Sequence, residues 1–264
     1  ALDVTVQRAI LDLLQELRDA RDLGVLFVTH DLDVVKDIAD HVVVMRHGTV
    51  VESGPCDEVM HTPSHPYTQE LLAAMPEPLE GQRGDAGAED AIVPLIEARN
   101  VVKRYVTKTN LWGKSLDHFT ALKGVSMAIA PGERVGLVGE SGSGKSTLGR
   151  VMLGLDGADE GEVKWKGGAA DGRAFRRLAQ PVFQDPFSAL NPRMTVGAAL
   201  QEAVNQRLAE EGPSVRELLE EVGLSAEDAT RRPGSFSGGQ RQRIVLARAL
   251  ALSPEFLVLD ESVA

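Results

Sequence analysis

The chain has 264 residues, 43% of them hydrophobic, and its 28 Lys+Arg against 39 Asp+Glu give a formal net charge of -11. A chain of this length buries roughly 70–75% of its unfolded surface without disulfide or metal staples, enough for one large domain or two modest ones. The acidic excess argues against a protein that coats nucleic acid through a basic field. No apolar run nears the roughly 18 residues of a membrane span, and a lone Cys56 leaves no internal disulfide or cysteine metal cluster.

In chain order, Val6, Ala9, Ile10, Leu13, Leu14 and Leu17 share one helical face, with Asp3 and Thr5 placed to cap its start. Val25 to Val28 is a continuous apolar run and predicts a strand buried in a parallel sheet, with His30 and Asp31 at its carboxyl end. Residues 31–39 predict a short helix, and Val42–Met45 and Val50–Val51 predict strands joined by a turn at His47-Gly48. Pro66 opens a helix through Leu71, Leu72 and Met75. From Pro76 to Ala91 the composition shifts to Pro, Gly, Ala and acidic residues, with Leu79 the one large aliphatic, and residues 76–93 read as a linker.

Beyond the linker, residues 96–105 and 121–129 predict strands, Pro131-Gly132 a turn, and Val135 to Val138 a buried strand. Leu200, Val204 and Leu208, then Val215, Leu218, Leu219 and Val222, recur at helical spacing. Gln240 to Ala251 predicts the last helix and Phe256 to Leu259 the last strand. There is no internal repeat. Ala1 stands where Met would begin a chain, and Ala264 follows closely on a strand, so the sequence reads as a window from a longer polypeptide.

Gly139-Glu140-Ser141-Gly142-Ser143-Gly144-Lys145-Ser146-Thr147 fits the phosphate-binding pattern G-x-x-x-x-G-K-[ST], with a buried strand before it and a helix after it. Glycines there let backbone N–H groups turn toward phosphate oxygens, and the helix amino end adds its positive dipole. Lys145 is positioned to reach the β- and γ-phosphates and the Ser146 hydroxyl to ligate Mg²⁺. Asp260 and Glu261 follow the apolar run Phe256 to Leu259, at the strand end that faces the ligand crevice in parallel α/β sheets. Alone they make an ordinary acidic turn. Beside a phosphate loop they become a water-mediated Mg²⁺ ligand and a general base. Ser237-Gly238-Gly239-Gln240 opens a basic helix and serves equally as an anion site or a flexible cap.

Together these segments resemble the nucleotide-binding domain of an ABC transporter. Phe236 to Gln240 resembles the family's LSGGQ signature with Phe for Leu, Gln184 falls in a stretch similar to its Q-loop, and Tyr105 resembles the aromatic residue on which adenine stacks. His30 in Val28-Thr29-His30-Asp31 resembles the H-loop histidine, and Ala1-Leu2-Asp3 the D-loop. The run Phe183 to Met194, the tail motif His65-Pro66-Tyr67-Thr68 and the insertion from Thr107 to Phe119 are similar to the oligopeptide, dipeptide and nickel importer branch.

The resemblance implies an α/β fold of the P-loop NTPase type, with a mixed sheet, an antiparallel β subdomain and a helical subdomain. It implies ATP and Mg²⁺ as cofactors. Glu261, His30 and Gln184 are then catalytic, with Ser146, Gln184 and Asp260 around the metal. Tyr105, Gly139, Ser141 to Thr147, Ser237 to Gln240 and Asp3 hold nucleotide. Two such domains sandwich two ATP molecules at the cytoplasmic face of a membrane and drive permease subunits fed by a solute-binding protein; nucleic acid is not a partner. A non-transport ABC ATPase shares the core motifs, a P-loop kinase or GTPase accounts for residues 139–147 alone, and a fragment that binds nucleotide without hydrolysing it is the third alternative.

The order of the motifs departs from the family's. D-loop, H-loop and tail come first, followed by the linker and then the aromatic residue through to the carboxylate strand. Residues 1–75 are therefore expected to close one nucleotide-binding domain and residues 94–264 to open a second. As the two pieces contain one domain's worth of parts, the chain is expected to be able to fold as a circularly permuted single domain.

Overall fold

The structure, a computed structural model, describes residues 13, 23–29, 32–73, 93–109, 115–183, 189–208 and 211–260. These fall into two compact units: residues 26–170, and the described residues among 1–25 and 171–264. Of the expected first helix only Leu13, which is helical, is described; the rest lies outside the described residues.

The first unit takes elements from both sides of residues 74–92. Before them come the end of β1 (Gly24–Val28), α1 (Leu32–Ile38), β2 (His41–Arg46), β3 (Thr49–Pro55), α2 (Cys56–His61) and α3 (Pro66–Ala73). After them come β4 (Ile96–Thr109), β5 (Ser115–Ile129), β6 (Arg134–Val138), α4 (Lys145–Met152), β7 (Glu160–Trp165) and β8 (Gly168–Ala169). The strands β2 and β3 pair antiparallel from His41↔Pro55 to Arg46↔Thr49, closed by His47 and Gly48, whose φ angles of 48° and 83° suit the twist of a two-residue hairpin.

On its other side β2 pairs in parallel with β6, from His41↔Val135 to Val44↔Val138, so this sheet is mixed. The register is fixed at its start by Asp40 and Arg134. The Arg134 backbone N–H and Nε each donate to Asp40 Oδ2 at 3.0 Å, Nη2 donates to Oδ1, and the Asp40 N–H donates back to the Arg134 carbonyl at 2.9 Å. A bidentate Arg–carboxylate pair sets orientation as well as adding energy. Thr29 N–H donates to the Leu137 carbonyl at 3.1 Å, flanking β6 on its second edge. Leu32, Val35, Val42, Val44, Cys56, Val59 and Tyr67 pack in one buried cluster with Val138, so the apolar contacts also cross the linker. Each such large side chain contributes about 1.5–3 kcal/mol when fully buried.

The antiparallel sheet of the same unit runs β5-β4-β7-β8. Its strands β4 and β5 are longer than the apolar pattern predicts. They continue to Thr109 and from Ser115, so that part of the family-typical insertion is an extension of the hairpin.

The second unit holds α5 (Gly172–Leu178), β9 (Ala179–Phe183), α6 (Val196–Val204), α7 (Val215–Glu221), α8 (Gly238–Leu250) and β10 (Phe256–Asp260), with short 3-10 turns at Ala226–Thr230 and Pro233–Ser235. Strands β9 and β10 are parallel, and the Gly24 N–H donates to the Glu255 carbonyl at 2.9 Å. The helices start where capping residues stand: Thr195 accepts from the Ala198 N–H, and Ser214 with Glu217 and Ser237 with Gln240 form capping boxes. Helix α6 stops at Val204, so Leu208 lies past its end and is 45% exposed. Asn205, a residue that favours helix ends over interiors, sits at the stop.

A chain beginning at residue 94 loses both neighbours of β6. We predict that limited proteolysis degrades it much faster than the full chain; equal resistance would contradict the pairing of β2 with β6 as the foundation of this unit.

Candidate nucleotide-binding site

The phosphate loop lies entirely within residues 26–170, between β6 and α4. Its backbone shape needs glycine most at Gly139, where φ is 147° and an added Cβ would stand 2.1 Å from the Met45 carbonyl oxygen. Beyond the loop α4 begins at Lys145, and the N–H groups of a first helical turn have no partners within the helix.

Lys145 is only 6% exposed, and its Nζ donates to the carbonyls of Gly139 at 2.8 Å and Glu140 at 3.0 Å. These two bonds take up two of the three N–H donors of the side chain and hold it against the loop. Ser143 is buried as well, and its Oγ has no hydrogen-bond partner among the described residues. Such an orphaned hydroxyl is costly unless a polar ligand completes it. Ser141 and Gly142 are exposed at the tip, and Ser146 and Thr147 occupy the first turn of α4. The donor set of turned backbone amides, hydroxyls and one lysine matches the chemistry of a polyphosphate. Only its hydroxyl oxygens could ligate a cation, and a Mg²⁺ ion usually takes few protein ligands beside phosphate oxygens.

Tyr105 stands on β4, 38% exposed, with Lys103 Nζ 5.6 Å from its ring centroid. Its hydroxyl donates to Asp156 Oδ2 at 3.0 Å, and Arg150 Nε donates to the same oxygen at 2.9 Å. The Arg150 guanidinium holds the Asp156 carboxyl below the usual carboxylate range, while burial and then the Asp156 hydrogen bond raise the Tyr105 hydroxyl above its ordinary value. The Thr147 hydroxyl is a further hydrogen-bond neighbour of Tyr105. This unit therefore brings the aromatic residue and the phosphate loop's last residue together.

Within the second unit, Ser237 caps α8: its Oγ accepts from the Gln240 N–H at 3.3 Å, while Gln240 Oε1 accepts from the Ser237 N–H at 3.0 Å. The Gln240 side chain thus shapes the turn that presents Gly238. The Arg231 guanidinium covers the buried Phe236 ring at 4.2 Å, and Arg241 Nε donates to the Pro233 carbonyl at 3.0 Å, fixing the approach to the same turn. Ser237 and Gly238 are exposed, and Gly239 is buried. Asp260 is the last residue of β10, half-buried beside Phe183 of β9. Asp3, His30, Gln184 and Glu261 lie outside the described residues.

Sequence reasoning missed three contributors. Asp156 carries no motif. Gly48 was read only as a turn residue, yet its N–H donates to the Ser143 carbonyl at 2.8 Å. Tyr67 was noted only as a family marker, yet its hydroxyl accepts from the Glu140 N–H at 3.0 Å.

Comparison with known proteins agrees with this geometry. Residues 51–105 match the family described as oligopeptide/dipeptide transporter, C-terminal region. The chain is 41% identical to the glutathione import ATP-binding protein GsiA of Salmonella paratyphi A, and 41% identical to that of Escherichia coli O6:H1. Each alignment covers 100% of this chain and 47% of the relative, so the chain spans about half the length of these relatives. Among solved structures, the ATP-binding cassette MJ0796 in a post-hydrolysis state bound to ADP and Pi is 29% identical with a TM-score of 0.50, over 62% of this chain and 72% of that one. An ATP-binding subunit of an ABC transporter is 26% identical with a TM-score of 0.53, over 64% and 66%. Residues 122–264, more than half of the chain, match the family described as ABC transporter, and the chain belongs to that family.

Proposed function

We propose that the chain is the ATP-binding and ATP-hydrolysing part of a transporter that imports peptides or similar small solutes. The observation that carries this reading is the phosphate loop with its buried Lys145, built in one compact unit with the His65 to Thr68 tail. The identity to glutathione import proteins supports a peptide-like cargo. In this reading permease subunits fed by a solute-binding protein pass the solute, with this chain at their cytoplasmic face, and the likeness to import ATP-binding proteins supports it.

In this reading residues 1–75 close one nucleotide-binding domain of a longer polypeptide and residues 94–264 open the next, joined by residues 76–93. The half coverage of the relatives supports that division. A second nucleotide-binding domain completes each ATP site.

The residues then act as follows. Loop amides from Gly139 to Thr147 and the Lys145 ammonium bind the β- and γ-phosphates, where fixed donors stabilise charge without reorganising. Tyr105 stacks on the nucleobase. Ser146, Gln184 and Asp260 hold Mg²⁺, which when bound neutralises charge on the phosphate oxygens. Glu261 takes a proton from the attacking water and Gln184 orients that water, while His30, in the domain that residues 1–75 close, contacts the γ-phosphate at that other domain's site. Within the turn that the Ser237–Gln240 capping box shapes, Gly238 and Gly239 present helix-start N–H groups to the phosphate of the partner domain's ATP, and Asp3 contributes at the interface.

Two outcomes test this. Lys145→Ala should weaken ATP binding by roughly 10- to 100-fold, the worth of a charge-assisted hydrogen-bonding group, in an equilibrium titration of the chain; unchanged affinity would remove Lys145 from the site. Glu261→Gln in the longer polypeptide should keep ATP binding and slow turnover by roughly 10²- to 10⁴-fold, the usual contribution of a general base. Near-normal turnover would remove Glu261 from that role.

A further inference from the structure

The tail motif His65-Pro66-Tyr67-Thr68 has no part in the chemistry above, yet it reaches the phosphate loop directly. Tyr67 is 2% exposed, and the Arg46 guanidinium lies 4.4 Å from its ring centroid. Its hydroxyl accepts the Glu140 N–H at 3.0 Å. The same residue's carbonyl accepts from Lys145 Nζ at 3.0 Å, so the two sides of Glu140 are held by the tail tyrosine and the loop lysine. A second hold comes from the Gly48 N–H to the Ser143 carbonyl at 2.8 Å.

The tyrosine is itself braced. Glu52 on β3 accepts from the Ser64 N–H and Oγ, both at 2.7 Å, and from the His65 N–H at 3.2 Å. His65 Nδ1 in turn accepts the Tyr67 N–H at 3.1 Å, fixing the start of α3. Burial works to raise the Glu52 carboxyl, but the Thr68 side chain first, and then Ser64 and His65, outweigh it and hold the group below its ordinary range.

We propose that Tyr67 is a positioning residue for nucleotide binding: through the Glu140 N–H it sets the peptide plane at the start of the phosphate loop and so aims the loop amides at the phosphates. The physical reason is that a phosphate loop binds through the direction of its amides, and a peptide plane free to rotate misaims them. Taking up the Glu140 N–H also satisfies a donor that would otherwise compete for a different loop shape. A purely structural tyrosine would need only its ring, which packs with Val42, Val44 and Val59 in the cluster beneath the loop. The hydroxyl is what distinguishes the two roles. The proposal rests on the reading that this loop binds ATP.

Tyr67→Phe keeps the ring, its packing and the Arg46 contact, and removes only the acceptor. In the full chain, equilibrium titration with ATP should show roughly two- to tenfold weaker binding, the scale of losing one part-buried hydrogen bond. Amide exchange at Glu140, followed by NMR without nucleotide, should accelerate several-fold in the same variant. Val59→Ala, which trims the cluster without touching the loop, should lower the melting temperature while leaving both ATP affinity and Glu140 exchange unchanged. Normal ATP binding by the unaltered chain with unchanged affinity and exchange in Tyr67→Phe would overturn the proposal alone. Failure of the unaltered chain to bind ATP would overturn the ATP-site reading on which it rests.

Discussion

The parallel pairing of β2 with β6 is the contact on which the described site depends. Strand β6 runs directly into Gly139, so whatever fixes β6 fixes the base of the phosphate loop. Its direction comes from the ladder His41↔Val135 to Val44↔Val138, and its axial position from the Asp40–Arg134 pair. A parallel ladder slipped by one residue would exchange the two buried faces of β6 and move Gly136 away from Val35, whose side chain leaves no room for a Cβ there. One register therefore serves the core and the loop together.

From that base the segment before the linker does more than complete a sheet. The hairpin turn reaches the Ser143 carbonyl through Gly48, the Met45 carbonyl forbids a side chain at Gly139, and the tail reaches Glu140 through Tyr67. Three contacts from residues 45–67 thus bear on a loop that begins about 70 residues later. Long-range contacts of this kind cost loop-closure entropy, which grows only slowly with the length of the intervening chain.

Much of this was legible in the sequence because the local signals agree with the fold. Apolar runs at Val25–Val28 and Val135–Val138 became buried strands, His47-Gly48 became the turn, and the loop pattern at residues 139–147 sits between strand and helix as its chemistry requires. Strands β7 and β9 escaped notice for physical reasons. Glu160–Trp165 is half-exposed and charged, lying between β4 and the two-residue β8 of the antiparallel sheet, and Ala179–Phe183 is a short run broken by Gln180 and Pro181. Leu208 illustrates the opposite error, since helical spacing continued past a stop that Asn205 imposes. The contacts of Tyr67 and Gly48 with the loop carry no sequence periodicity at all, because hydrogen bonds between distant segments leave no local pattern. The family resemblance marked the tail motif without explaining it.

The phosphate loop and residues 45–67 belong to one physical unit, and its response to ATP should be shared. An NMR titration of the full chain with ATP, following backbone amide signals, tests that claim most directly. The signals of Gly144 to Thr147 should move together with those of Gly48 and Tyr67, and all should fit a single dissociation constant. Movement of the loop signals while Gly48 and Tyr67 stay fixed would contradict it.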